Sequence, residues 1–160
     1  MMRSNWIVPA LVLGLATLVA GCGKADSTGK PPAKGDPEPE HHHGKGPNGG
    51  VIFDLGKYHA EFTVDHDKKE CRVLVVDGEN ETAKPLAVKA NEFTLVTKPT
   101  RTKDGKDVPA MTIKLMAKDA KDGKASAFTG SDPGLGNVAD FEGNVVGVID
   151  GKPSPGEFKE

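Results

Sequence analysis

Apolar and polar residues alternate along the chain from Val51 to Asp65. Side chains of a β-strand point alternately to its two faces, so a period of two predicts strands with one buried face. The run is interrupted by Gly56-Lys57, and a two-residue loop that begins with glycine is typical of a type II′ hairpin. The sequence therefore predicts an antiparallel hairpin in which Val51 pairs with Phe62.

This register separates the hairpin into an apolar face and a polar face. The apolar face carries Val51, Phe53, Leu55, Tyr58, Ala60, Phe62 and Val64. The polar face carries Asp54, His59, Glu61, Thr63 and Asp65, with Ile52 as the exception. A slip of one residue would mix the two sets, so the pattern itself selects the register. It places Asp54 directly opposite His59.

Short β-branched and apolar runs follow, separated by turn clusters such as Asp77-Gly78. They predict strands at 71–76, 86–88, 93–96, 110–117, 124–129 and 141–149, with a last apolar segment at 156–158. Asp132 and Pro133 predict the N-cap and first residue of one helical turn. Seven or eight short strands predict an all-β fold, an antiparallel, immunoglobulin-like β-sandwich over residues 48–160.

The first 21 residues have the features of a secretory signal: Arg3, an apolar stretch and a small-residue end. The sequence Val19-Ala20-Gly21-Cys22 resembles the lipobox of bacterial lipoproteins. That resemblance implies that the chain is cleaved before Cys22 and that Cys22 is acylated with palmitate. The protein would then belong to the cell envelope and be anchored to the membrane, its partner, through this lipid. By the sorting rule of similar lipoproteins, Gly23 favours the outer membrane, periplasmic or surface-facing, in a cell with two membranes.

Residues 22–47 are rich in Pro, Gly, Lys and Asp and contain almost no large apolar side chain. Such a segment cannot bury enough surface to offset the entropy of ordering, which predicts a flexible tether. It ends in His41, His42 and His43. The formal net charge of −2 gives no reason to expect a nucleic-acid partner.

All five histidines lie between His41 and His66, together with several carboxylates. Imidazole and carboxylate donors suit Zn(II) and Cu(II), with Cu(II) bound more strongly in general. The predicted metal ligands are His59, Asp54 and Glu61, completed by His41, His42 and His43 from the tether. Two plainer readings stay open: solvated linker histidines, and an ordinary cross-strand contact between His59 and Asp54.

Catalytic and redox motifs are not found. Cys71 alternates with Val73 and Val75, which predicts a small buried side chain, not a reactive thiol. No nucleophile, base and orienting group come together in the sequence, so we expect a protein without enzymatic activity.

The stretch from Gly46 through Gly50 to Tyr58-His59-Ala60-Glu61 resembles a recurrent, poorly characterised domain of small bacterial lipoproteins. The pattern of that domain is Gly-Pro-His-Gly-Gly, followed by a short strand and then by Tyr-His-Ala-Glu. The segments at 127–133, 141–143 and 149–152 are similar to the end of that domain. The resemblance implies a β-sandwich with suspected metal association. Asn48 stands where the pattern has His, which removes one ligand unless His43 replaces it.

These features together predict a non-enzymatic, lipid-anchored envelope protein that binds a divalent transition metal. The alternative is an interaction or structural module of the envelope, with an envelope protein as partner and incidental histidines.

Overall fold

The computed structural model describes residues 44–160, which form an all-β domain, as predicted. The strands are β1 Val51–Leu55, β2 Tyr58–Asp65, β3 Glu70–Val76, β4 Glu92–Thr97, β5 Thr100–Arg101, β6 Asp107–Val108, β7 Thr112–Lys118, β8 Ala127–Ser131, β9 Glu142–Ile149 and β10 Lys152–Lys159. Among the residues described, no helix is long and apolar enough to cross a membrane. The predicted signal, Cys22 and the tether histidines His41–His43 lie outside the described residues.

Eight strands form one antiparallel sheet in the order β1-β2-β3-β8-β7-β4-β9-β10, and β5 pairs with β6 in a small second sheet. The large sheet folds over, so that its first and last strands meet. At this seam the Gly56 amide donates to the Pro155 carbonyl over 2.8 Å. The two halves of the sheet thereby enclose one core, and the arrangement is sandwich-like.

The hairpin of β1 and β2 has the predicted register. Val51 pairs with Phe62, and Asp54 lies opposite His59. Gly56 has a φ of +63°, a conformation that glycine adopts without the steric penalty of a Cβ atom. The period-two pattern and the glycine of the turn therefore suffice to specify this element.

The remaining elements agree with the sequence predictions only in part. The strand predicted at 86–88 is wrong, because Val88 forms only an isolated bridge with Ala125. The strands β5 and β6 were not predicted. The helical turn is present as a 3₁₀ turn, Pro133–Gly136, in which the Asp132 carboxylate accepts from the Gly134 amide over 2.7 Å.

The core is built largely from phenylalanine and aliphatic side chains that point inward from both halves of the sheet. The ring centroids of Phe62 and Phe158 lie 4.1 Å apart. This aromatic contact joins β2 to β10 across the core. Cys71 is buried in the same core, as predicted. A smaller apolar cluster on the other side of β3 contains Leu74, Val76 and Ala83.

Candidate functional site

The predicted pair of His59 and Asp54 comes together next to the β1–β2 turn. Cross-strand pairing sets the two residues opposite each other, and His59 Nε2 lies 3.4 Å from Asp54 Oδ1. The histidine side chain is 27% exposed and the aspartate side chain 59% exposed, so solvent reaches both. The polar face of the hairpin therefore carries an accessible imidazole–carboxylate pair.

Glu79 joins this pair, and the sequence analysis did not identify it. Its Oε1 atom lies 3.0 Å from His59 Nε2, closer than the Asp54 oxygen. Antiparallel pairing of β2 with β3 sets His59 opposite Val76, so the chain that leaves β3 passes beside the histidine. We call His59, Asp54 and Glu79 the histidine cluster.

The loop that carries Glu79 is fixed by short-range hydrogen bonds. The Lys84 amide donates to the Asp77 carboxylate over 2.7 Å, and the Asp77 amide donates to the Lys84 carbonyl over 3.0 Å. Within the loop, the Asn80 side chain accepts from the amide and hydroxyl of Thr82. A closed loop of this kind presents Glu79 at a defined place beside β2.

The third predicted ligand, Glu61, serves a different purpose in the structure. Its side chain is fully buried and its carboxylate is held by the residues that precede β1. Oε1 accepts from the amides of Asn48 (2.7 Å) and Gly50 (3.0 Å), and Oε2 accepts from Asn48 Nδ2 (2.6 Å). Three donors satisfy this buried carboxyl group, whose oxygens would otherwise be costly to desolvate.

The segment 46–50 packs so closely on β2 that it needs glycine. A Cβ atom added at Gly46 would lie 2.5 Å from the Glu61 carboxylate, and one added at Gly50 would overlap the Phe62 carbonyl. The turn is closed by the Gly49 amide, which donates to the Gly46 carbonyl over 2.9 Å. We call this segment, residues 46–50, the glycine loop.

The glycine loop also sets where the preceding chain lies. Lys45 forms a bridge with Val51, and a Cβ atom added at Gly44 would lie 3.9 Å from the Glu79 carbonyl oxygen. The chain thus enters the described domain beside the histidine cluster. His43 is the residue immediately before Gly44.

Within residues 44–160, no group of three or more His, Cys, Asp or Glu side chains is placed so that it could hold a metal ion by itself. The histidine cluster is therefore not a metal site by itself. Its His59 Nε2···O separations of 3.0 and 3.4 Å are those of an imidazole in contact with two carboxylates.

The remaining reactive side chains of the described domain lie apart from this cluster. Burial raises the pKa of the Cys71 thiol to about 12, which leaves it protonated and unreactive at neutral pH. His66 Nδ1 is 2.7 Å from the Leu135 carbonyl oxygen at the other end of β2. Neither residue adds a ligand to the histidine cluster.

A second surface feature lies on the outer side of β7, β4 and β9. Four of the exposed large apolar side chains in the described domain project from these neighbouring strands: Val96, Met116, Val146 and Val148. Beside them an open groove of about 810 Å³ is lined in part by Lys89, Glu92 and Asp150. We call the four side chains the valine patch.

No family model, curated protein or solved structure matches this chain. The resemblance of residues 46–160 to a lipoprotein domain thus stays a prediction.

Proposed function

We propose that this chain is a lipid-anchored, non-enzymatic protein of the cell envelope that binds a divalent transition metal, Cu(II) or Zn(II). The lipobox-like sequence that ends in Cys22 supports the anchor. One observation carries the metal proposal: His59 Nε2 lies within 3.4 Å of carboxylate oxygens from both Asp54 and Glu79. An imidazole flanked by two carboxylates is a donor set that suits both ions.

The tether histidines complete the set in this proposal. Structural zinc sites usually have four protein ligands, and the histidine cluster supplies fewer than an ion of that kind needs. His41–His43 directly precede Gly44, which lies beside Glu79. Consecutive Cα atoms are about 3.8 Å apart, so covalent connection alone keeps His43 close to Gly44. Glu61 is left out, because its carboxylate is engaged by the glycine loop.

The test is calorimetric titration of CuCl₂ and ZnCl₂ into the purified full chain in detergent. We expect one ion to bind with a Kd in the micromolar range or tighter. His59→Ala should weaken binding at least tenfold, and Glu79→Gln should weaken it by a smaller factor. His66→Ala is the matched control, since this histidine interacts with Leu135 at the far end of β2.

The proposal fails if the wild-type chain binds neither ion, or if His59→Ala and His66→Ala have equal effects. A Kd that depends on His41–His43 alone would also contradict it, because binding would then need no folded site. The anchor has its own test: Cys22→Ser should abolish incorporation of labelled palmitate and release the protein from the membrane fraction. Labelling that survives this substitution would exclude the lipobox interpretation.

A second candidate function is self-association through the valine patch. One ion pair of the chain lies on this face, with Lys114 Nζ 2.7 Å from Glu92 Oε2. A second copy of the same patch would offer a matching apolar surface. The two-residue variant Val146→Glu with Val148→Glu should convert a dimer to a monomer in sedimentation experiments, while Asn144→Glu on the same strand should not. A wild-type chain that stays monomeric at high concentration would rule this candidate out.

A further inference from the structure

We propose that Asn48 is the deamidation site of this chain and that Glu61 controls the reaction. The contact between the two side chains holds the reaction back, and deamidation in turn releases the glycine loop from β2. Asn48 is the only asparagine in the sequence that precedes a glycine. The proposal concerns the glycine loop alone and does not depend on metal binding.

The chemistry uses two neighbouring residues and water. The Gly49 nitrogen loses its proton and attacks Cγ of Asn48, the Cγ–Nδ2 bond breaks, and the side-chain nitrogen leaves as ammonia. Water then opens the resulting succinimide ring at either of its carbonyl carbons, which gives aspartate or isoaspartate at position 48. Glycine favours the attack because no Cβ atom hinders the approach of its nitrogen.

Solvent reaches this pair of residues in the folded domain. Asn48 and Gly49 are both exposed. Gly49 has a φ of +80°, and a Cβ atom added there would meet nothing within 4 Å. The loop therefore has room for the succinimide ring, and water can open it.

Two native contacts nevertheless oppose formation of the ring. Asn48 Nδ2 donates to Glu61 Oε2 over 2.6 Å, and the Asn48 amide donates to Glu61 Oε1 over 2.7 Å. The Gly49 amide donates to the Gly46 carbonyl over 2.9 Å, so the attacking nitrogen is engaged as well. Both contacts must break before this nitrogen can reach Cγ. The reaction therefore requires local opening of the glycine loop, and its rate follows the population of the open state.

The product of deamidation cannot restore the native contact. A carboxylate at position 48 has only acceptor atoms, so two acceptor oxygens would face each other across the 2.6 Å contact with Glu61. Isoaspartate also adds its Cβ atom to the backbone path, in a loop where Gly46 and Gly50 leave no room beside β2. Because ammonia is lost, the loop opens irreversibly.

The first experiment compares the folded and the unfolded wild-type chain. The full chain in detergent is incubated in mildly alkaline buffer, with and without guanidinium, and peptide mapping by mass spectrometry follows each asparagine. Asn48 should deamidate at least about tenfold more slowly in the folded chain than in guanidinium. Asn91 and Asn144 are exposed but precede Glu and Val, so they are the internal controls and should stay intact in both samples.

The second experiment weakens the contact by substitution. Glu61→Gln keeps the volume of the side chain but turns an NH2 group toward the Asn48 donor, so deamidation of the folded chain should become about fivefold faster or more. Glu157→Gln is the same change at an exposed position of β10 and should have no effect. Circular dichroism checks that both variants are folded. Deamidated wild-type chain, separated by ion exchange, should show faster exchange of the Gly50 amide proton.

Each measurement can overturn the proposal. Equal rates for Asn48 in the folded and unfolded wild-type chain would show that the fold does not hold the reaction back, and this comparison decides even if Glu61→Gln fails to fold. A folded Glu61→Gln variant with the wild-type rate would exclude control by Glu61. Native protection of the Gly50 amide in the deamidated chain would show that the loop is not released.

Discussion

The carboxylate of Glu61 and the side-chain amide of Asn48 face each other at 2.6 Å across thirteen residues of sequence. This contact fastens the segment before β1 onto the outer side of β2. It makes a glycine-rich stretch an ordered cover for a buried carboxyl group, and it determines where the chain enters the domain.

Loss of this carboxylate should destabilise the domain. Glu61→Ala leaves the Asn48 and Gly50 donors without their acceptor, and we expect the free energy of unfolding to fall by about 3 kcal/mol. Glu61→Gln keeps one acceptor oxygen and a similar volume but turns an NH2 group toward the Asn48 side-chain donor, so its cost should be smaller, about 1–2 kcal/mol. Urea unfolding curves measure both values. Equal effects of the two substitutions would show that the hydrogen bonds contribute little.

The aromatic contact between Phe62 and Phe158 should be among the larger sources of stability. The rings lie 4.1 Å apart in the core and connect β2 to β10, the last strand of the sheet. Phe158→Ala should reduce the free energy of unfolding by about 3–5 kcal/mol, whereas Val148→Ala on the exposed face should change it by about 0.5 kcal/mol or less. A Phe158→Ala variant as stable as the Val148→Ala variant would contradict this account of the core.

The thiol of Cys71 should be unreactive in the folded protein. Its pKa is raised to about 12 by burial, so roughly one thiol in ten thousand would be ionised at pH 8. In a Cys22→Ser chain, a thiol reagent at pH 8 should label Cys71 only after guanidinium is added. Rapid labelling of the native chain would mean that β3 opens readily.

The same shift makes stability depend on pH in the alkaline range. The pKa of the Cys71 thiol is higher in the folded protein than its value of 9.0 in the unfolded chain. The stability that the buried, protonated thiol contributes is therefore complete below pH 9 and is lost as the pH rises toward 12. Cys71→Val lacks this group, and the difference in unfolding free energy between the two chains should change over that window. A constant difference from pH 8 to pH 11 would contradict the burial of the thiol.

At the β1–β2 turn, the Tyr58 hydroxyl donates to the Asp150 carboxylate over 2.5 Å. This hydrogen bond is the main reason why the pKa of Asp150 lies below 3.8. Its contribution to stability is present above pH 3.8 and is lost as the pH falls through the lowered pKa. Tyr58→Phe should raise the Asp150 pKa, measured by NMR titration of its carboxyl carbon. An unchanged pKa would show that the hydrogen bond is absent in solution.

The hairpin could be predicted in full because its information is local: alternating side chains and a glycine with positive φ fix the register. The pairing of Asp54 with His59 followed directly. Glu79 was missed because its position depends on the pairing of β2 with β3, which sets His59 opposite Val76. The sequence does predict a strand that ends at Val76 and a turn after it. This indicates the position of Glu79 next to His59 only if β3 is also assumed to pair with β2.

The burial of Glu61 could not be read from the alternation pattern. That pattern places Glu61 on the polar side of β2, and nothing in the strand itself shows that this side is covered. The cover comes from the glycine loop, whose composition predicts flexibility when it is considered alone. Gly46 and Gly50 are instead required because any Cβ atom would collide with β2.

Metal coordination by His59 can be tested by ¹⁵N NMR of its imidazole. ZnCl₂ is added to the full chain in detergent, and the Nε2 resonances of all five histidines are followed. We expect a large shift of His59 Nε2 at one equivalent of zinc, with changes in at least one of His41–His43 and none in His66. Shifts confined to His41–His43, with His59 unchanged, would contradict it.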